Sequence, residues 1–444
     1  MSNSTPLVSS LKQLAGEANV IQDPDRLKAY TIDGLAPRAV VSPGSVEEIS
    51  KLLAYANTEK LAVVPRGNGT KMAAGGIPKK LDVVLSMLKL NRITEHDVPN
   101  LSLSVEAGIT LAQVQKTLTA TGKGSFLPLD PPYTEKATIG GVIATNGSGP
   151  RRYLYNTARD LLLGLKAVLP TGEIVAFGGK TMKNVSGYDM TKLMIGSWGA
   201  LGVITEITTK LLPLPEASAT LLASFDDLAR AGALTRKILH SIFLPSAMEL
   251  MDERAAGQLG EKERYLVAFS LEGVGEAVDR QAADIGETAA REGAVETRIL
   301  RGDEDRVFWI RVRNFALASA APVILKTNVV ISKQMEVLGA YEAMARAAGI
   351  GCAFMGHAGN GIVTSHILDY DEANTGPLVE LIGRFTAEAV KYEGNLVLEA
   401  GPRELKEKVN VWGQPRSDEG VMRRLKETVD PLGVLNPGRF VGGI

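Results

Sequence analysis

The 444-residue chain reads as an α+β protein of two or three domains. Three observations carry that reading. In the first half, short apolar runs bounded by glycine and proline alternate with segments of helical period. A proline-bearing joint, Pro213-Leu214-Pro215-Glu216-Ala217, then interrupts the pattern. Beyond it, strand-like stretches alternate with charged helices, the signature of an antiparallel sheet covered by helices.

The elements follow in order. Val46 to Thr58 has helical spacing, with Ser45 placed to cap it. Leu61 to Val64 is a short buried strand, and it runs into the sharp loop Pro65-Arg66-Gly67-Asn68-Gly69-Thr70. Leu81 to Leu85 is another strand, and Leu101 to Glu106 alternates as a half-buried one. Thr110 caps a helix that runs to Thr119. After the joint, Tyr265 to Leu271 is a strand and Val274 to Glu292 a helix. Asp430 to Arg439 (DPLGVLNPGR) is a second dense turn region. No heptads, low-complexity tract or internal repeat stand out.

Composition narrows the function classes. Basic and acidic residues number 49 and 50, so no broad basic footprint for nucleic acid exists. Cys352 is the one cysteine, which excludes an internal disulfide and a four-thiolate iron–sulfur cluster. Met1 to Ser10 lacks an apolar signal core, and no uncharged apolar run reaches membrane-span length. A cytoplasmic protein is expected, with attachment to the inner membrane through a partner left open.

The Pro65–Thr70 loop follows a strand, and its small residues let backbone amides converge on an anion such as a pyrophosphate. Alone, such a loop is also an ordinary turn. It has company in Thr138-Ile139-Gly140-Gly141, Ala144-Thr145-Asn146-Gly147-Ser148-Gly149-Pro150, and Gly196-Ser197-Trp198-Gly199-Ala200-Leu201-Gly202-Val203-Ile204. The Rossmann and Walker patterns both fail, since position 72 is methionine and no Gly-Lys-Ser/Thr follows a phosphate loop.

In order and spacing these segments resemble the vanillyl-alcohol oxidase family, whose FAD domain is called PCMH-type. The resemblance implies a two-part FAD-binding domain over residues 1–215 and an antiparallel-sheet α/β cap over 216–400. Residues 401–444 would return to the FAD domain. It implies FAD contacts at Pro65, Arg66, Gly67, Asn68, Gly69, Thr70, Pro131, Thr138, Ile139, Gly140, Gly141, Asn146, Ser148, Gly149, Ile204, Asn436 and Arg439. Members that tether the flavin use a histidine or cysteine of these loops; here the loops hold neither, so the FAD is expected to be non-covalent. Asn146 to Arg152 (NGSGPRR), Phe177 to Asp189 (FGGKTMKNVSGYD) and the ending Asn436-Pro437-Gly438-Arg439 resemble the second flavin subunit of bacterial glycolate oxidases. That resemblance implies two partners, a catalytic flavin subunit and an iron–sulfur subunit.

The catalytic end departs from the family. Members that oxidise D-2-hydroxy acids carry His-Ala/Leu-Gly-Asp-Gly-Asn-Leu-His, then Gly-Glu-His-Gly. Two histidines and the glutamate hold a divalent metal there, and the last histidine is the base. This chain has His357-Ala358-Gly359-Asn360-Gly361-Ile362-Val363-Thr364, then Leu398-Glu399-Ala400-Gly401. Threonine is a poor zinc ligand and alanine moves no proton. No metal is therefore expected, with His357 and Glu399 as the residual candidates. His366 shares a strand face with Thr364 and could substitute as a ligand, or it is a partly buried histidine with one partner. Lys326 and Arg311 are candidates to meet a carboxylate beside His357, or form a solvated basic pair.

These readings predict an FAD-binding subunit of a glycolate or D-lactate dehydrogenase complex, accessory or electron-relaying. The alternatives are a self-sufficient FAD-dependent D-2-hydroxy-acid dehydrogenase and, from another class, a non-redox scaffold subunit.

Overall fold

The computed structural model describes residues 5–180, 187–262 and 264–444. The chain divides into two compact units. One comprises residues up to Gly147, Thr157–Pro213 and Pro415–Ile444; the other comprises Ser148–Asn156 and Leu214–Gln414.

The first unit begins with a four-stranded sheet of β1 (Val20–Ile21), β2 (Ala39–Val41), β3 (Val63–Arg66) and β4 (Val83–Ser86), in the order β1-β2-β4-β3. Strands β2, β4 and β3 run parallel, so they need crossover connections. Helix Val46–Thr58 supplies one of them. Ser45 Oγ accepts the Glu48 amide at 3.2 Å, and Ile49, Leu52, Leu53 and Ala56 form the buried stripe. Both expected strands start two residues late. The Asp82 carboxylate takes the Ala62 amide at 2.8 Å, so regular pairing begins only at Val63 and Val83. The C-terminal segment extends the sheet beside β3: the Val63 amide donates to the Val434 carbonyl at 2.7 Å, and the Asn436 amide to the Val63 carbonyl at 3.0 Å.

The unit continues through β5 (Ile93–Asp97), β6 (Ser102–Glu106), β7 (Ser125–Phe126), β8 (Leu162–Val168), β9 (Ile174–Gly178), β10 (Val203–Lys210) and β11 (Leu212–Pro213). Five of them form an antiparallel sheet, β5-β6-β10-β8-β9, while β7 pairs with β11. The alternation in β6 suggested a half-buried strand, yet every residue of β6 is buried. The serine side is buried as well, and Ser104 Oγ meets its polar need on Thr208 Oγ1 at 2.8 Å. Helix Leu111–Ala120 starts at Thr110 with a reciprocal Thr110–Gln113 cap.

The second unit is built on β12 (Ala217–Phe225), β13 (Ala247–Asp252), β14 (Tyr265–Gly273), β15 (Glu296–Leu300), β16 (Val323–Asn328), β17 (Cys352–His357), β18 (Ile362–Ile367) and β19 (Asn395–Ala400). They form one antiparallel sheet in the order β15-β12-β14-β13-β17-β18-β16-β19. Helices Leu228–Leu239, Gly275–Arg291, Gln334–Ala348 and Thr375–Lys391 bury one face, against Leu221, Val267, Leu250, Phe354, Val363 and Leu325. Neighbouring residues Leu222, Leu266, Met251, Ala353 and Met355 point the other way. Helices Glu253–Gln258, Gly302–Arg313 and Phe315–Ala318 cover that part of the second face. The segment Ser148–Asn156 is tied to this unit through Glu272, which pairs with Arg151 and accepts the Tyr155 hydroxyl at 2.6 Å.

A glycine-lined cleft and a polar sheet face

In the first unit, a cleft opens where β3 ends and helix Ile139–Thr145 begins, with about 960 Å³ of empty space that includes open solvent. Pro65, Arg66, Gly67, Asn68, Gly69, Thr70, Pro131, Thr138, Gly140, Gly141, Ile204, Asn436 and Arg439 line it. The fit depends on missing side chains. A Cβ on Gly67 would stand 2.2 Å from Thr138 Oγ1, and one on Gly69 would stand 2.5 Å from the Arg66 guanidinium. Gly69 also has φ +79°, so the turn itself favours glycine.

Backbone amides point to an anion. Those of Asn68, Gly69 and Thr70 carry no hydrogen bond among the described residues. By contrast, the helix start is already satisfied: the Ile139 and Gly140 amides go to the Ile109 and Ala107 carbonyls, and Gly141 to Thr138 Oγ1 at 3.3 Å. Among the described residues, the lining contains Arg66, Lys71 and Arg439 and no acidic side chain, which suits a pyrophosphate. Arg66 lies with its guanidinium 4.4 Å from the Tyr30 ring centroid, and burial lowers its pKa. Arg439 also fixes the loop, donating to the Met72 and Ala74 carbonyls at 2.9 and 2.7 Å; burial pulls its pKa down to about 10. Asn436 donates from Nδ2 to the Trp198 carbonyl at 2.6 Å, and its buried Oδ1 has no partner among the described residues. An N–H of a ligand would satisfy that oxygen.

Four expected residues fall elsewhere. Ile139 turns into the core. Asn146 caps the helix end in the left-handed conformation (φ +48°). Ser148 and Gly149 belong to the other unit. Sequence reasoning missed Lys71, Met87, Ala107 and Trp198 as lining. Trp198 sits in the quoted motif Gly196-Ser197-Trp198-Gly199, and that glycine-flanked position was its available signal; the structure holds it at φ +56°. Residues Thr181 to Ser186 of the lysine- and glycine-rich motif lie outside the described residues.

In the second unit, the part of the second sheet face beyond its covering helices is polar. Strand registers place Glu249 and His357 opposite each other, then Thr364 opposite Lys326. His357 Nδ1 and Glu249 Oε1 are 2.5 Å apart, and Glu249 is fully buried. Gln334 braces the same hairpin, donating from Nε2 to the His357 and Ile362 carbonyls at 3.2 and 2.7 Å. Tyr153 packs against Gly359 in that hairpin, where a Cβ would stand 2.0 Å from the ring. Lys326 Nζ is 3.8 Å from Glu399 Oε1. Thr364 Oγ1 donates to the Met355 carbonyl at 3.4 Å.

His366 is committed elsewhere. Its Nδ1 meets Ser319 Oγ at 3.0 Å, Phe315 lies edge-on to its ring, and burial pulls its pKa down to about 4. Arg311 is exposed and donates to the Gln258 carbonyl at 3.3 Å, so this hydrogen bond takes it to a helix end and not to the polar face. Glu249 was not foreseen: an acid inside the apolar run of β13 was the signal, but only register gave it a partner.

The sequence families define the class, a flavoprotein oxidoreductase. Residues 37–178 match the FAD binding domain family and residues 214–440 the FAD linked oxidases, C-terminal domain family. The chain belongs to the FAD-linked oxidases, with the PCMH-type fold, and its cofactor is FAD. Among relatives, glycolate oxidase subunit GlcD of Bacillus subtilis is 29% identical over 421 residues, covering 91% of this chain and 89% of the relative. D-lactate dehydrogenase of Archaeoglobus fulgidus is 34% identical, covering 92% of this chain and 93% of the relative. The solved structure of p-cresol methylhydroxylase with substrate bound superposes with a TM-score of 0.75 at 17% identity, covering 99% of this chain and 97% of that one.

Proposed function

We propose that this chain is an FAD-bearing subunit of a glycolate or D-lactate dehydrogenase complex, in an accessory or electron-relaying role. One observation carries the reading: an FAD cleft with its glycines and cations in place accompanies a sheet face that lacks two of the family's four catalytic groups, at Thr364 and Ala400. The names of the relatives support the substrate class. With Cys352 as the one cysteine, an iron–sulfur cluster would belong to another chain. The partners are then a catalytic flavin subunit and an iron–sulfur subunit, and any membrane attachment runs through them.

Within the chain, Arg66, Lys71 and the Asn68–Thr70 amides would hold the pyrophosphate, and Asn436 Oδ1 would accept an N–H of the cofactor. The absence of histidine and cysteine from the lining leaves the FAD untethered. The bound flavin supplies two-electron acceptance and stepwise electron release. The protein supplies position, charge and exclusion of water.

The test is anaerobic stopped flow on the isolated FAD-loaded chain. Glycolate and D-lactate are expected to bleach its flavin far below a catalytic rate, and reduction is expected once a catalytic partner subunit is added. Bleaching at a catalytic rate by the chain alone would overturn the accessory role and establish the self-sufficient enzyme. A colourless preparation that refuses added FAD would overturn the whole reading in favour of a scaffold.

A further inference from the structure

The family implies a divalent metal on the polar sheet face, and the side chains there do not fit one. Zinc takes three or four protein donors. Here the threonine hydroxyl at 364 is turned to a backbone carbonyl, and residue 400 has no donor. Among the described residues, no three His, Cys, Asp or Glu side chains converge as a metal site. His357 and Glu399 remain, and Glu399 already has the Lys326 ammonium 3.8 Å away. A dication placed at Glu399 would meet that positive charge. The carboxylate behind His357 does not decide the matter, since metal-bound and metal-free histidines both use such a partner. Donor count and the lysine decide it.

We infer that this face is built to work without a metal, with Lys326 as the resident cation at Glu399 and Glu249 as the positioning residue for His357. The buried Glu249 carboxylate lies 2.5 Å from Nδ1 and accepts from Nδ1–H, which orients the ring and turns Nε2 away from it. In the Nδ1–H tautomer Nε2 is the hydrogen-bond acceptor. Gln334 holds the backbone of the same hairpin, so the ring is fixed from two sides. Resting on the proposed function, the ligand of Nε2 is the C2 hydroxyl of a small 2-hydroxy acid.

The experiment uses the full FAD-loaded chain labelled with ¹⁵N-histidine. It has four histidines, and His357→Asn assigns the one in question. The wild type is expected to show His357 as the Nδ1–H tautomer, and Glu249→Leu to move it to the commoner Nε2–H form. Glycolate with EDTA present is expected to shift the His357 Nε2 resonance, whereas acetate, lacking the hydroxyl, leaves it in place. Dialysed against zinc, the wild type is expected to retain less than about 0.1 equivalent, and Thr364→His with Ala400→His about one equivalent.

An Nε2–H tautomer in the wild type would overturn the inference, as would glycolate leaving His357 unmoved. So would about one equivalent of zinc in the wild type that is lost in Glu399→Gln. These outcomes leave the FAD-subunit reading standing. A chain that binds no FAD overturns that reading whatever His357 shows.

Discussion

At Gly67 the space for a side chain is already occupied by Thr138. Gly67→Ala must therefore push the first loop off the start of helix Ile139–Thr145. The expected cost is about 1–3 kcal/mol, read as roughly ten- to hundredfold weaker FAD binding with the circular dichroism spectrum unchanged. Asp252 offers a prediction in pH. Its Oδ1 caps helix Glu253–Gln258 and takes the Ala255 and Phe354 amides at 2.8 and 3.1 Å. Burial nevertheless pushes its carboxyl up to about 7; Glu342 adds to the rise, while the two amides and Arg254 oppose it. Raised above its unfolded value, the group favours the folded state below about pH 4, and that contribution fades as pH climbs to about 7. Asp252→Asn is expected to flatten this decline in Tm between pH 4 and 7. An unchanged pH profile would show that Asp252 titrates normally. His366 acts with the opposite sign: burial lowers its pKa, so its contribution is present above about pH 6.5 and lost as pH falls to about 4.

The C-terminal helix and the strand-like segment after it work as one element. Helix Glu419–Val429 ends in a buried pair, Lys426 with Asp430 at 2.5 Å. Lys426 Nζ also donates to the Ala200 and Leu435 carbonyls, both at 2.8 Å, and Asp430 accepts the Val434 and Leu435 amides. That network sets the register in which Asn436 reaches Val63 and Trp198. Lys426→Met leaves a buried uncompensated carboxylate, at an expected cost of about 3–5 kcal/mol. Thermal unfolding should record the loss, and FAD affinity should fall with it. Lys426→Met with Asp430→Asn should recover part of both. Equal stability in the single and double variants would show that the pair is not the reason the element holds its place.

At the scale of the molecule, each unit has its own buried apolar clusters. Those of the first gather around Leu53, Val105 and Val64, and those of the second around Phe354 and Met251. The proposed FAD cleft lies in the first unit. Linkage then predicts that excess FAD raises the thermal transition of that unit, by about 3 kcal/mol at a hundred times Kd, and the transition of the second unit much less. Differential scanning calorimetry with and without FAD checks this, and a uniform rise of both transitions would refute it. No helix among the described residues is long and apolar enough to cross a membrane.

The strand, turn and helix that frame the cleft were legible in advance because each is local. A strand, a glycine turn and a threonine-capped helix are each written in adjacent residues, and their order along the chain resembled one family. The loss of family side chains at Thr364 and Ala400 was legible for the same reason. What replaces them was not. Glu249 lies more than a hundred positions from His357, and Lys326 more than seventy from Glu399. Strand register alone puts each pair on one face, and β-pairing across such separations leaves no periodic trace in the chain. The sequence by itself determined the cofactor class and the missing donors. Tertiary structure decided which charges meet, because that depends on which strands become neighbours.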